Sequence, residues 1–210
     1  MTLACSNIAW SPEEDREAYA LLASLGVKAV ELAPARLWPD PGRVSEVDAV
    51  LGPLREYGLG VAGFQAILFQ KSDLVLFDSV ARPRLFAYLV DLAGLCARVG
   101  GRYLVFGAPK NRRVPEGMNR DEAWAIATDF FCRLGEAACK FGVFFGMEAN
   151  PSAYGCNFCC GAAEAVKLVA EVGSPGFRWH VDAGALAMNG EPLPGTIVAN
   201  AAWIGSYHAS

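Results

Sequence analysis

Short apolar runs alternate with longer amphipathic segments along the whole chain. Val27-Lys28-Ala29-Val30, Tyr103-Leu104-Val105-Phe106 and Val143-Phe144-Phe145-Gly146-Met147 are almost continuously apolar. Strands buried on both faces read this way, and such strands are parallel and covered by helices. Between the runs, apolar residues recur at helical spacing. Trp124, Ala127, Phe131, Leu134 and Ala138 form one stripe; Ala18, Leu22 and Leu25 form another. Where a helical pattern ends, a glycine follows: Gly26, Gly58, Gly100, Gly142 and Gly173. Glycine there closes the last turn in the left-handed conformation. Helix starts are marked too. Ser11-Pro12-Glu13-Glu14 offers an N-cap, a proline at the first helical position and a capping-box glutamate, and Asn119-Arg120-Asp121-Glu122 repeats the cap and the glutamate.

The pattern predicts strands near residues 3–8, 27–32, 60–66, 102–107, 143–148, 178–182 and 203–208. It predicts helices near 12–25, 43–57, 79–99, 119–141 and 161–172, with a shorter one near 194–201. Such alternation defines an α/β protein, either an open doubly wound sheet or a closed barrel. Seven strands, with no Gly-x-Gly-x-x-Gly turn after the first, favour a (β/α)8 TIM barrel. No linker or low-complexity stretch divides residues 1–210, which read as a single domain. The strand count stops one short, and such barrels typically need about 250 residues. The barrel is therefore expected to be incomplete, C-terminally truncated with the eighth strand and last helices missing; the alternatives are an open barrel or one whose gap a neighbouring chain covers. An open edge beside a seventh strand makes a homo-oligomer an expectation as well.

Composition narrows the function classes. Hydrophobic residues make up 53% and charged residues 19% of 210 residues, a packed globular composition. The net charge of −4 gives nucleic-acid binding no electrostatic support. No apolar run reaches the ~18 residues of a membrane span, and the first residues lack the pattern of a signal peptide. A cytoplasmic protein is expected. Seven cysteines are an odd number, and Cys96, Cys132 and Cys139 sit in apolar periodic segments, which fits a reduced compartment.

Barrel chemistry sits at the carboxyl ends of the strands. The polar residues there are Asn7, Glu31, Gln65, Lys110 with Asn111 and Arg112, Glu148 with Asn150, Asp182, and His208. Glu148, Asp182 and His208 are separated by 34 and 26 residues, about one βα unit each. Two carboxylates and an imidazole on neighbouring strands suit one divalent ion, Mn, Mg, Zn or Co; the alternative is that Glu148 and Asp182 are helix caps or ion-pair partners and His208 a core histidine. Lys110 and Asn111 are candidates to hold a phosphate, a carboxylate or sugar hydroxyls, and Arg113 reads as a solvated loop charge. His180, two residues before Asp182, points to the same side one layer deeper; it reads first as a packed core histidine and second as a support behind the metal ligands. Trp10, Trp38 and Phe69 read equally as packing or as an apolar wall for a sugar ring. The cluster Cys156-Asn157-Phe158-Cys159-Cys160 has no matching second pair, so it reads as a cysteine-rich loop rather than a zinc site.

The chain resembles the sugar phosphate isomerase/epimerase family, whose members share the xylose isomerase-like TIM barrel of the AP endonuclease family 2 superfamily. The resemblance rests on Cys5-Ser6-Asn7-Ile8-Ala9-Trp10, Val30-Glu31-Leu32-Ala33-Pro34 and Val105 to Arg112. It continues through Met147-Glu148-Ala149-Asn150-Pro151, Tyr154 to Phe158, His180-Val181-Asp182-Ala183-Gly184 and Tyr207-His208-Ala209-Ser210. It implies a metal held by Glu148, Asp182 and His208, with a fourth ligand, a glutamate, after an eighth strand. It implies Glu148 as the catalytic base of proton transfer through an enediolate, and Asn7, Glu31, Gln65, Lys110, Asn111 and Asn150 as substrate contacts. A histidine that many members carry three residues after the aspartate is Ala185 here. The substrate class implied is a small sugar or sugar phosphate. A polyol dehydratase of the same fold, or a truncated barrel that binds sugar or metal without turnover, would carry the same residues. The abasic-DNA endonuclease of this fold needs many histidine ligands, and the chain has two.

Overall fold

The computed structural model describes residues 2–38 and 47–209. Seven parallel strands, β1 (Ala4–Ser6), β2 (Ala29–Leu32), β3 (Gly60–Phe64), β4 (Tyr103–Phe106), β5 (Phe144–Glu148), β6 (Phe177–Asp182) and β7 (Ile204–His208), form one sheet in sequence order. Among the described residues, eight α-helices accompany them: α1 (Asp15–Ser24), α2 (Pro34–Leu37), α3 (Val47–Glu56), α4 (Ala81–Arg98), α5 (Arg120–Phe141), α6 (Ala162–Val172), α7 (Ala183–Met188) and α8 (Leu193–Ala199). Sequential parallel order with helical crossovers is barrel topology, so this is an incomplete (β/α)8 barrel, a curved sheet whose end strands are β1 and β7.

Strand alternation sorts the side chains. Leu104, Phe106, Phe145, Met147, Phe177, Trp179 and Val181 are buried and face the helices. Phe131 of α5 stacks on Phe177 with centroids 4.6 Å apart and meets Phe106 edge-on at 5.1 Å. Of the predicted stripe on α5, Ala127, Phe131, Leu134 and Ala138 have no exposed surface, whereas Trp124 is half-buried at the outer side. On α1 the stripe is rotated. Tyr19 and Leu22 are buried, whereas Leu25 follows the last turn and is 69% exposed.

The local signals act as read. The five glycines lie at φ of 62 to 86°, and Gly142 donates its N–H back to Ala138 and Cys139 to end α5. Asn119 Oδ1 accepts the Asp121 N–H at 2.7 Å, and Glu14 accepts the Ser11 N–H at 2.9 Å. The Ser11 signal starts a 3-10 turn over Pro12–Glu14 that runs on into α1.

Three elements differ from expectation. β1 stops at Ser6, where the serine hydroxyl accepts the Ile8 N–H and turns the chain into a 3-10 segment over Asn7–Ala9. The short helices α2 and α7 lie at strand ends, where loops were expected. Pro34 starts α2 at its first position, and the Asp182 carboxylate caps α7 through the Ala185 N–H at 2.6 Å. The first residues of the predicted helix 43–57 lie outside the described residues, and α3 accounts for the rest. No described helix is long and apolar enough to cross a membrane. All seven cysteines are free thiols.

Candidate active site

Inward residues of β4 to β7 and their following loops build one polar cluster. The register pairs Glu148 with His180, His180 with Ser206, and Asp182 with His208. The ladder slips between Trp179 and His180, and this sets Ser206 beside His180. Glu148, His180 and His208 thereby meet, each offering a donor atom within 4.8 Å of the others. The two imidazoles stand edge to face, with centroids 4.2 Å apart.

Glu148 is held from several sides. Asn150 Nδ2 donates to its Oε2 at 2.8 Å, and Oε1 faces His180 Nε2 at 3.9 Å. Burial raises the carboxyl above its ordinary pKa; the Asn150 hydrogen bond opposes that and the charge of Asp182 adds to it. Arg112 is the support beneath. It is fully buried, and its guanidinium donates to four oxygens: Phe158 O at 3.0 Å, Phe106 O at 3.3 Å, Glu148 O at 2.8 Å and Asn150 Oδ1 at 3.0 Å. Thus Arg112 orients Asn150, and Asn150 orients the Glu148 carboxylate.

Gly107 supplies the space. A Cβ there would lie 2.2 Å from Glu148 Oε2, so any side chain displaces the carboxylate. Gly107→Ala is expected to cut any Glu148-dependent turnover by about 10²-fold, the effect of a 1 Å misplacement. Steady-state rates of the variant beside its thermal melt check this. An unchanged rate would show that the carboxylate position is unimportant.

The remaining candidates divide. Glu31, 2% exposed, meets His208 Nε2 at 3.0 Å from the far side of the barrel and is hydrogen-bonded to Tyr103. For His208, burial pulls the pKa down, but the Glu31 hydrogen bond with the charges of Glu31, Glu148 and Asp182 carries it upward overall. Burial, helped by His208, drives His180 well below the usual range. Asn7 is fully buried, its Oδ1 accepting the Ala33 N–H at 2.8 Å while its amide nitrogen lacks a partner. Gln65 donates to Ser6 Oγ. Asn111 faces the β3–α4 loop, donating to Lys71 O at 2.7 Å and Leu74 O at 2.8 Å. Lys110 is exposed at the rim. Asp182 stands next to His208 in the register, but its oxygens are not in the three-residue donor set, and Oδ1 is occupied by the α7 cap.

A pocket of about 360 Å³ opens at these strand ends, lined among others by Gln65, Ile67, Phe69, Val105, Lys110 and Glu148. Phe69 is 62% exposed beside it, whereas Trp38 is packed in the core against Phe64. Trp10 is packed against Tyr19, with its indole N–H on Asp15. A larger groove of about 740 Å³ runs between α5 and α6 on the helical exterior and contains none of the candidate residues. Among the described residues the three-donor group is Glu148, His180 and His208, and the cysteine loop at 156–160 provides none. Burial pushes the thiols of Cys159 and Cys160 up, to about 12 and about 11.

A divalent ion fits this cluster on two observations. Carboxylate and imidazole donors converge there, and His180 Nε2 is a buried nitrogen with no hydrogen-bond partner. Glu148 and His208 are marked in the sequence as strand-end candidates, whereas His180 reads there as core packing or a support behind the ligands, and Arg112 only as one cation of the run 110–113. The alternation that placed His180 below Asp182 was the available signal; for Arg112 nothing in the run 110–113 marks which cation is buried.

Comparison with known proteins agrees with the architecture. The family model described as xylose isomerase-like TIM barrel matches residues 19–210. Solved structures with the same fold include a D-psicose 3-epimerase (TM-score 0.80, 14% identity, covering 99% of this chain and 72% of that one). A 3-keto-D-glucoside 4-epimerase from E. coli has a TM-score of 0.73 at 18% identity, covering 99% and 78%. A probable 3-DHS dehydratase from Bacillus anthracis has a TM-score of 0.72 at 14% identity, covering 99% and 72%. No curated protein matches the chain. With the family model spanning nine-tenths of its length and the barrel topology in place, the chain belongs to the xylose isomerase-like TIM barrel family.

Proposed function

We propose that this chain is a metal-dependent isomerase or epimerase that moves a proton on a small sugar or sugar phosphate through an enediolate. The observation that carries this reading is Glu148. It is a desolvated carboxylate made more basic by burial, hydrogen-bonded by Asn150 and fitted against Gly107, at the wall of a strand-end pocket. Sugar epimerases among the structures of this fold support the substrate class.

Glu148 Oε2, on the Gly107 side that borders the pocket, accepts the proton from the carbon next to the substrate carbonyl. Return of that proton by Glu148 to the neighbouring carbon, with that carbon's hydroxyl proton passing to the former carbonyl oxygen, gives isomerisation. Return from the opposite face needs a second acid and gives epimerisation. Glu148, Asp182 and His208 would hold a divalent ion (Mn, Mg, Zn or Co), which supplies electrophilic polarisation of the carbonyl oxygen when bound. Lys110 at the rim would meet a phosphate or terminal hydroxyls. Asn7, Glu31, Gln65, Asn111 and Asn150 would shape the polar wall, several of them by holding loops and neighbouring side chains.

Incubation with a panel of ketoses in D2O, with and without divalent ions, tests the reading. Deuterium incorporated next to the carbonyl in the presence of an ion is the expected result. No exchange with any sugar would overturn it. The dehydratase neighbour motivates the second reading: the same proton abstraction followed by loss of a hydroxyl would release water and an unsaturated product instead of an isomer.

A further inference from the structure

We propose that His180 is a direct ligand of the ion, so that the site presents two imidazoles beside its carboxylates. This rests on the metal reading above and adds a donor that the pattern Glu148, Asp182, His208 does not contain.

The first observation is an unmet demand. His180 has no exposed surface, and its Nε2 has no hydrogen-bond partner. A buried polar atom left unpaired costs about 1–3 kcal/mol, so such an atom calls for a partner. The second is distance. Nε2 lies 3.9 Å from Glu148 Oε1, too far for a hydrogen bond. Two ligands of one ion, each about 2.0–2.2 Å from it, lie about 3–4 Å apart. The third is orientation. His180 Nδ1 meets Ser206 Oγ at 2.7 Å. If Nδ1 carries the proton and Ser206 accepts it, Nε2 presents its lone pair toward Glu148 and His208, the outer-shell arrangement that fixes metal-bound histidines.

The slot for this ring is built into the sheet. A Cβ on Gly146 would lie 2.9 Å from His180 Cβ and 3.4 Å from Ser206 Oγ, so the glycine makes room for both. On the other side, Glu31 takes the Nε2 edge of His208 at 3.0 Å. A neutral His208 donating that proton keeps its lone pair on Nδ1. Two imidazoles with carboxylates favour borderline ions such as Zn and Co over Mg and Ca, which prefer all-oxygen shells. Zn and Co are therefore the preferred occupants.

Cobalt and magnesium titrations of the intact protein, read by calorimetry and by the visible Co(II) bands, test the proposal. The wild type should take one Co(II). His180→Leu should weaken Co(II) by at least about 10- to 100-fold with a far smaller change for Mg. Ser206→Ala should weaken Co(II) by about 10-fold. Pulsed EPR of the Cu(II)-loaded wild type needs no variant, and it should show two coordinated imidazole nitrogens. One nitrogen, or unchanged Co(II) affinity in a folded His180→Leu protein, overturns the proposal while leaving the three-ligand reading standing. A wild type that binds no ion removes both.

Discussion

Replacing Glu148 with glutamine is expected to lower proton exchange between a bound ketose and solvent by about 10²- to 10⁴-fold, the usual contribution of a positioned acid–base group. The substitution is nearly isosteric. Glutamine keeps the side-chain oxygen that accepts from Asn150, and the Arg112 contact goes to the main-chain oxygen of residue 148, so the local frame persists. What disappears is the basic carboxylate. Deuterium wash-in followed by mass spectrometry or NMR reads the loss directly and does not depend on knowing the final product. Exchange retained at the wild-type rate would remove Glu148 from the chemistry.

The largest stability effect is expected at Arg112. Its guanidinium satisfies three main-chain carbonyls and one side-chain carbonyl, all in the barrel mouth and with no exposed surface on the arginine itself. Arg112→Leu leaves those oxygens without donors and without water. The loss should be about 3 kcal/mol or more, which for a domain of this size is a fall in Tm of roughly 6–12 °C. Arg112→Lys keeps the charge but not the planar fork, and should recover only a minor part of the loss. Thermal and urea melts decide. A Tm within about 2 °C of wild type in Arg112→Leu would show that the network is dispensable.

How far the sequence discloses this site depends on which signals are local. The apolar runs and the glycines after each helix report short-range physics, so the strand order and the α5 stripe were legible. Leu25 misled because an apolar residue at helical spacing falls just beyond the last turn, where it meets solvent. The helix α7 is not announced by any apolar stripe; only the alternative reading of Asp182 as a helix cap points to it, and that cap is present. Glu148 and His208 were visible as polar residues ending apolar runs. Arg112 also stands in that set, but its burial was not visible, because it is set by carbonyls 6 to 46 residues away along the chain. The same holds for Asn111, which anchors the β3–α4 loop through carbonyls 37 and 40 residues distant. The role of Gly107 also depends on a carboxylate on the next strand. Contacts of this kind belong to the folded barrel and leave no periodic trace.

We propose that Glu148, Asp182 and His208, joined by His180, gather round one cation at the wall of the strand-end pocket. Anomalous diffraction from crystals grown with cobalt and soaked with a ketose measures this directly. The account predicts a single strong peak among Glu148, His180 and His208, with the sugar in the pocket beside Glu148. A peak at the cysteine loop or on the helical exterior, or a sugar bound away from Glu148, would contradict it.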